Sequence, residues 1–483
     1  MARADLRQLL RWPRRPSARI DVDDVQALVM QGYGRLRGAA YLLLEVTDPI
    51  PARSWLAALV GEVTLGERRP VGTATNVAFT ATGLGRLGVT DDVLAGFAPE
   101  YVEGMTSAHR TRLLGDAGAA APSAWAWGGP QGPSVDVLVL LYATTAEELT
   151  GHVQEQRSRA TASGLREVAL LDTEDIGLGE HFGFRDGISQ PVLAGTGRPS
   201  GDLHVVAPGE FLLGYPNQHG QAPSSPTVAA DDDTARLLPP AKDDRDRRDL
   251  GRNGTYLVMR TLSQDVGAFW RYADAQTRRA DGSSDPAART SLAARMVGRW
   301  PSGAPLTLSP DRDRPELAEQ NDFGYHEHDA EGFACPIGAH VRRTHPRDSL
   351  PPRPGSDTSV EVGKGHRLLR RGRPYGPPVD LGDALTAEEA GDVRGLHFIA
   401  LCTDIARQFE FISHTWVQNP HFAGLYDDSD PLLGGHTGEG SGFTVQQRPV
   451  RRRYVETPAV VTTRGGAYFF LPGARALRYL SGG

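Results

Sequence analysis

Cysteine is nearly missing from this chain. Cys335 and Cys402 are the only two in 483 residues, and each lies in an apolar stretch where a thiol behaves as a small hydrophobe, so no disulfide framework is expected. No stretch approaches the roughly 20 apolar residues of a membrane span. The start, MARADLRQLLRWPRRPSARIDVDD, is positively charged but lacks the apolar run of a secretory signal. Arg14-Arg15 is therefore not read as a twin-arginine export signal, and a cytoplasmic protein is expected. Basic residues form no tract in a chain of net charge −7, which leaves no electrostatic footprint for nucleic acid. The densest cationic run, RPVRRRY from Arg448 to Tyr454, reads as solvated surface. GxGxxG after a first strand, a P-loop, a GxSxG elbow and CxxC are all missing as well, which removes the commonest nucleotide-binding, hydrolase and thiol-redox chemistries.

What is present is length and a repeated pattern. With 39% hydrophobic residues the chain is long enough for two domains, each with its own core. GAAYLLLEVTDPIPARSWLAALV, from Gly38, reads as a strand running into a helix, and NGTYLVMRTLSQDVGAFWRYADA, from Asn253, repeats that order. A second pair recurs later in each half: VDVLVLLYATTAEELTGHVQEQ, from Val135, matches GLHFIALCTDIARQFEFISH, from Gly395. Strand–helix pairs separated by long Gly/Pro-rich stretches suggest an α+β chain of two ferredoxin-like domains, each an antiparallel sheet with packed helices, rather than a doubly wound sheet. The expected division is residues 1–213, a polar connecting loop over 214–252, and residues 253–483. A further loop is expected from Asp348 to Gly363.

Three segments carry the chemistry. GFRDG, Gly183 to Gly187, holds one carboxylate, Asp186, at a glycine-flanked bend; alone it is equally a common turn. In CPIGAHVRRTHPRD, His340 follows the small residues Gly338-Ala339, which would let a flat ring approach, and arginines follow it. A lone histidine is otherwise most simply a buried one satisfied by backbone. In HRLLRRGRPYG, alternation divides Arg370 and Arg371 between two faces, and a buried arginine needs a charged partner or a task. Which of the two points inward is open. Asp404, in LCTDIARQFEF, is first of all a good N-cap. As a second role it would accept the other ring N–H of an axial histidine, with Glu410 the competing candidate. His326-Glu327-His328 offers a non-haem metal site, but the spacing is not the i, i+4 of helical zinc motifs, so a polar turn is expected.

Taken together, HFGFRDGISQP, NDFGY ahead of CPIGAHVRRTHPRD, RLLRRGRPYG, GLHFIALCTDIARQFEFISHTWVQNPHF and GGAYFFLPG resemble the dye-decolorising peroxidases over nearly the whole chain. The missing signal and long loops look like the larger bacterial subgroup. The resemblance implies two ferredoxin-like domains with haem b held mainly by the second. It implies Asp186 as distal acid/base, Gly187 as a haem-binding residue next to it, Arg370 as distal arginine, His340 as axial iron ligand, Arg342 as a propionate partner and Asp404 as the proximal carboxylate. His345 stands where relatives often have asparagine and takes no assigned role. The implied partners are hydrogen peroxide and dye or phenolic electron donors, neither nucleic acid nor membrane. Bulky dyes would donate through surface residues among the 7 Trp and 13 Tyr, a relay excluded if single Trp and Tyr substitutions all leave dye turnover intact. The rival readings are a haem-handling protein without peroxidase turnover and a non-haem metalloenzyme using His326 and His328.

Overall fold

In the computed structural model, which describes residues 19–67, 69–197, 201–230, 233–386, 394–434 and 441–482, the two repeated blocks fold alike. The first runs strand Gly38–Val46, helix Pro49–Val60, strand Thr73–Phe79, strand Val137–Ala143, helix Ala146–Thr161 and strand Leu165–Asp172. Its four antiparallel strands lie in the spatial order fourth, first, third, second, the ferredoxin-like arrangement. Helix starts are set locally. Asp48 accepts the Ile50 N–H and Pro49 opens the helix, and Thr145 and Glu148 form a reciprocal capping box.

The second block runs strand Thr255–Gln264, helix Val266–Ala275, the short strands Leu369–Arg370 and Arg373–Tyr375, strand Gly395–Cys402, a wide-wound π-helical run over 406–417, and strand Val461–Leu471. Its order is the same, fourth, first, third, second, read in the same direction across the sheet. The last strand of this block meets the second strand of the first block at Phe470 and Phe79, so among the described residues one sheet of nine strands runs through both units.

Every residue of Val137–Ala143 is buried, as expected of a central strand covered on both faces. Successive side chains enter opposite cores, Val137, Val139 and Leu141 on one side and Leu138, Leu140 and Tyr142 on the other. A third core lies off the sheet, where Phe182 and Phe184 pack with Phe269, Trp270, Cys335 and Ala339. The loop that carries Asp186 and the residue preceding His340 therefore share one core.

Two expectations about loops change. Residues 214–252 contain paired strands, Thr227–Ala229 with Arg247–Asp249, because Pro- and Asp-rich composition does not prevent a local ladder. The stretch from Asp348 to Gly363 runs into helix Asp357–Lys364, capped by the Ser356 hydroxyl. Both cysteines are buried free thiols, and no helix among the described residues is long and apolar enough to cross a membrane. Arg14-Arg15 lies outside the described residues.

Candidate active site

Asp186 sits on a bend. Gly183 and Gly187 take φ values of +88° and +80°, a left-handed backbone that glycine enters without a Cβ clash. The Asp186 N–H donates to the Leu178 carbonyl at 3.0 Å and the Arg185 N–H to the Pro301 carbonyl at 3.1 Å. On either side of Gly183 the chain is nailed into the third core: the Phe182 ring lies 4.7 Å from Phe269, and Phe184 stacks on Trp270 at 6.1 Å. Burying each phenylalanine contributes about 1.5–3 kcal/mol, which is what holds an otherwise open bend.

The partner of Asp186 comes from the second unit. Arg370 Nη1 donates to Asp186 Oδ1 at 2.9 Å. Strand alternation does the rest: Leu369 is buried in the core on the other face, while Arg371 turns to the carbonyls of Leu28 and Val29 at 2.6 and 3.0 Å. Of the two arginines, Arg370 is the one at the acid. Burial pushes the Asp186 carboxyl up, but the Arg370 guanidinium, the Gly187 N–H and the His340 charge outweigh it and hold the group below the usual carboxylate range. Its side chain nonetheless keeps 45% of its surface accessible.

His340 opens the short helix His340–Thr344. Its Nδ1 meets the Asp430 carboxylate at 3.0 and 3.2 Å, and Asp430, wholly buried, also accepts the Leu432 and Leu433 N–H groups. Burial pushes the imidazole down and Asp430 lifts it above its ordinary value, while burial of Asp430 is outweighed by His340, leaving that carboxyl low. With Nδ1 engaged, Nε2 is the nitrogen left for a ligand.

The residues fit a haem. An imidazole whose Nδ1 is held by a buried carboxylate, as an axial haem ligand would need, is present. A Cβ built on Gly183 or Gly187 meets nothing within 4 Å, so open space borders the acid's bend. A dianionic group would also find charge to balance. Arg299, Arg347 and Arg367 are buried yet bond only to neutral groups: Arg299 to the Gly303 carbonyl, Arg347 to the Asn321 and Phe323 carbonyls, and Arg367 to His345 Nε2 and the Ser189 carbonyl. Arg347 Nε has no partner. Burial, then Arg347 and Arg370, bring Arg367 down to about 9, and burial brings Arg299 down to about 10. His345, its Nδ1 on the Ser189 hydroxyl at 3.1 Å, is pushed well below its ordinary value by burial and Arg367.

Two expected site residues are not where the sequence suggests. Arg342 is buried against Asp329 and the Cys335 carbonyl, at 3.1 and 2.7 Å, and stacks over Tyr325; its guanidinium is spent inside the protein. Asp404 does what an N-cap does, accepting the Arg407 N–H at 2.9 Å and the Arg407 Nε–H at 3.1 Å. Glu410 pairs with Arg110 at 2.7 Å and accepts the Tyr468 hydroxyl. The carboxylate at His340 is Asp430, which sits in DDSDPLLGG, a stretch whose only local signal is a turn. His326, Glu327 and His328 lie on the short helix Tyr325–Asp329 instead of a polar turn, His328 Nδ1 bonding the Gly324 carbonyl. No group of three or more metal-ligating side chains occurs among the described residues. The Arg448–Tyr454 run faces solvent at Arg448, Arg452 and Arg453, which reach Glu331 and the Gln276 and Tyr426 carbonyls.

No protein-family model matches the chain. It is 30% identical to the dye-decolorizing peroxidase of Mycena epipterygia, over 94% of this chain and 85% of the relative. It is likewise 30% identical to the multifunctional dye peroxidase of Amycolatopsis, over 99% of each. Among solved structures, a dye-decolorizing peroxidase in complex with 2,6-dimethoxyphenol superposes with a TM-score of 0.77 at 26% identity, covering 96% of this chain and 100% of that one. An ancestral D-type dye decolorizing peroxidase gives a TM-score of 0.75 at 26% identity, covering 95% and 99%.

Proposed function

Since this chain belongs to the dye-decolorizing peroxidases, it is a haem-dependent enzyme that reduces hydrogen peroxide and oxidises dyes and phenolic donors, and we propose that Asp186, Arg370, His340 and Asp430 carry that reaction. The observation behind this assignment is the Asp186–Arg370 pair at 2.9 Å within electrostatic reach of the His340–Asp430 pair at 3.0 Å.

His340 would bind the iron through Nε2, with Asp430 accepting the Nδ1–H and raising the ring's basicity. Haem b is the proposed form: both cysteines are buried free thiols, which supports a haem held without thioether bonds. Arg367 and Arg347 replace Arg342 as the cations for the haem carboxylates. When bound, haem supplies the two-electron reduction of peroxide and the one-electron oxidation of donors. Asp186, ionised, accepts the proton of one peroxide oxygen and delivers it to the other, which leaves as water. Arg370 offsets the negative charge that grows on the leaving oxygen as the O–O bond breaks. The two unpaired thiols support a reducing compartment, so the cytoplasm is the proposed location, to be checked by cell fractionation. The near-complete mutual coverage with the Amycolatopsis relative supports the larger bacterial subgroup.

The test is the absorption spectrum of haem-loaded protein before and after one equivalent of hydrogen peroxide, for wild type and His340→Ala. Stoichiometric haem with a Soret band that shifts on peroxide, lost or altered in the variant, is the expected result. Full haem loading with a sluggish peroxide reaction would favour a haem-handling protein, and no stoichiometric haem would sink the assignment.

A further inference from the structure

Glu180 puts its carboxyl inside the bend that carries Asp186. Oε1 accepts the Phe184 N–H at 3.1 Å, and Oε2 accepts both the Phe182 N–H and the Gln264 side-chain amide at 2.9 Å. The backbone closes over it, with the Glu180 N–H on the Phe184 carbonyl at 2.9 Å and the Gly183 N–H on the Glu180 carbonyl at 2.8 Å. One side chain thus satisfies two amides that no strand ladder serves. Gln264 is the last residue of strand Thr255–Gln264, so the same carboxyl fastens the loop that follows strand Leu165–Asp172 to the sheet of the second unit. Around it donors are scarce: Gln264 Oε1 and His181 Nδ1 are buried without partners. Burial pushes Glu180 up to about 7 against the pull of its three donors, and the Asp186 charge adds to the rise.

We propose that Glu180 is a positioning residue for the peroxide reaction, holding the Phe182–Phe184 arc, and with it Asp186, within reach of Arg370 and fixing that arc to the second unit through Gln264. The inference rests on Asp186 as the acid/base group. Glu180 itself does no proton transfer to peroxide, because both its oxygens are engaged by protein donors. Its leverage is geometric. Asp186 is two residues beyond Phe184, and a misplacement of about 1 Å in a proton-transfer group costs about a hundredfold in rate.

The experiment compares haem-loaded wild type, Glu180→Gln, Glu180→Leu and Gln264→Leu. Both Glu180 variants should keep haem content and the resting spectrum while kcat/KM for hydrogen peroxide falls about tenfold or more. The value for a phenolic donor should stay within about twofold, a split that general destabilisation would not produce. Gln264→Leu should lose about threefold in the peroxide step. Independently of turnover, hydrogen exchange in the haem-loaded protein should show the Phe182 and Phe184 amides exchanging at least about tenfold faster in the Glu180 variants. Unchanged peroxide kinetics in Glu180→Gln overturns the inference, whatever the exchange rates. If Glu180→Leu does not fold, Glu180→Gln, which keeps the shape and one acceptor oxygen, decides. An Asp186→Asn variant as fast as wild type would show instead that the acid/base assignment has failed, and the inference falls with it.

Discussion

Side by side in the chain, Arg370 and Arg371 part company because a strand sends neighbours to opposite faces. One meets Asp186 and the other the carbonyls of Leu28 and Val29. Arg370→Leu should therefore slow the peroxide step about 10²–10³-fold with haem retained, while Arg371→Leu leaves that step near wild type; stopped-flow mixing with peroxide separates the two. Asp186 carries its own pH signature. Its folded pKa is depressed, so the ionised form persists as pH falls, and the peroxide reaction should be lost only below about pH 4, the ordinary carboxylate value. A peroxide rate that collapses by about pH 6 contradicts this. Glu180 has the opposite sign. Its pKa is raised to about 7, so its share of stability is full below the unfolded carboxylate pKa and is lost as pH rises through 7. Relative to Glu180→Gln, wild type should lose urea resistance between about pH 5 and 8.

At the scale of elements, the wide-wound run over 406–417 is tied to the first unit by Glu410, which bonds Arg110 of helix Ala108–Leu113 and the Tyr468 hydroxyl of the last strand. All three groups are buried. Arg110 keeps Glu103 at 3.0 Å, so Glu410→Gln removes only part of its compensation and should cost about 1–3 kcal/mol in urea unfolding without changing iron ligation. The helix of His340 gives a second contrast. Arg342→Leu should cost about 3–5 kcal/mol by leaving buried Asp329 with the Ala334 and Cys335 N–H groups but without its cation, yet leave haem affinity intact, whereas Arg367→Leu should weaken haem binding. Haem titration of the two variants tells them apart. Both strand–helix pairs were legible as elements because an apolar run bounded by a capping residue is written locally, while the wider winding over 406–417 is not. The role of Asp404 was half legible: its capping chemistry is local, while its distance from His340 is not.

Among the described residues the two units share one nine-stranded sheet, and the strand pairing at their seam is a single residue pair. Phe470 pairs with Phe79 across it, both with no exposed surface, and helix Ala474–Ser481 packs back onto helix Pro49–Val60. Phe470→Ala should cost about 3–5 kcal/mol and lower the stability of both units together, seen as one displaced calorimetric transition; two separated transitions would show that the seam does not couple them. The sequence alone determined the repeated strand–helix order, the glycine-flanked bend at Asp186 and the small residues ahead of His340, since each depends on neighbours within a few positions. The tertiary structure decided the pairings. Asp186 meets Arg370 across 184 positions and His340 meets Asp430 across 90, and Arg299, Arg347 and Arg367 find carbonyls from three separate segments. Which charges meet at such separations is set by how cores pack and strands register, and no local pattern records it.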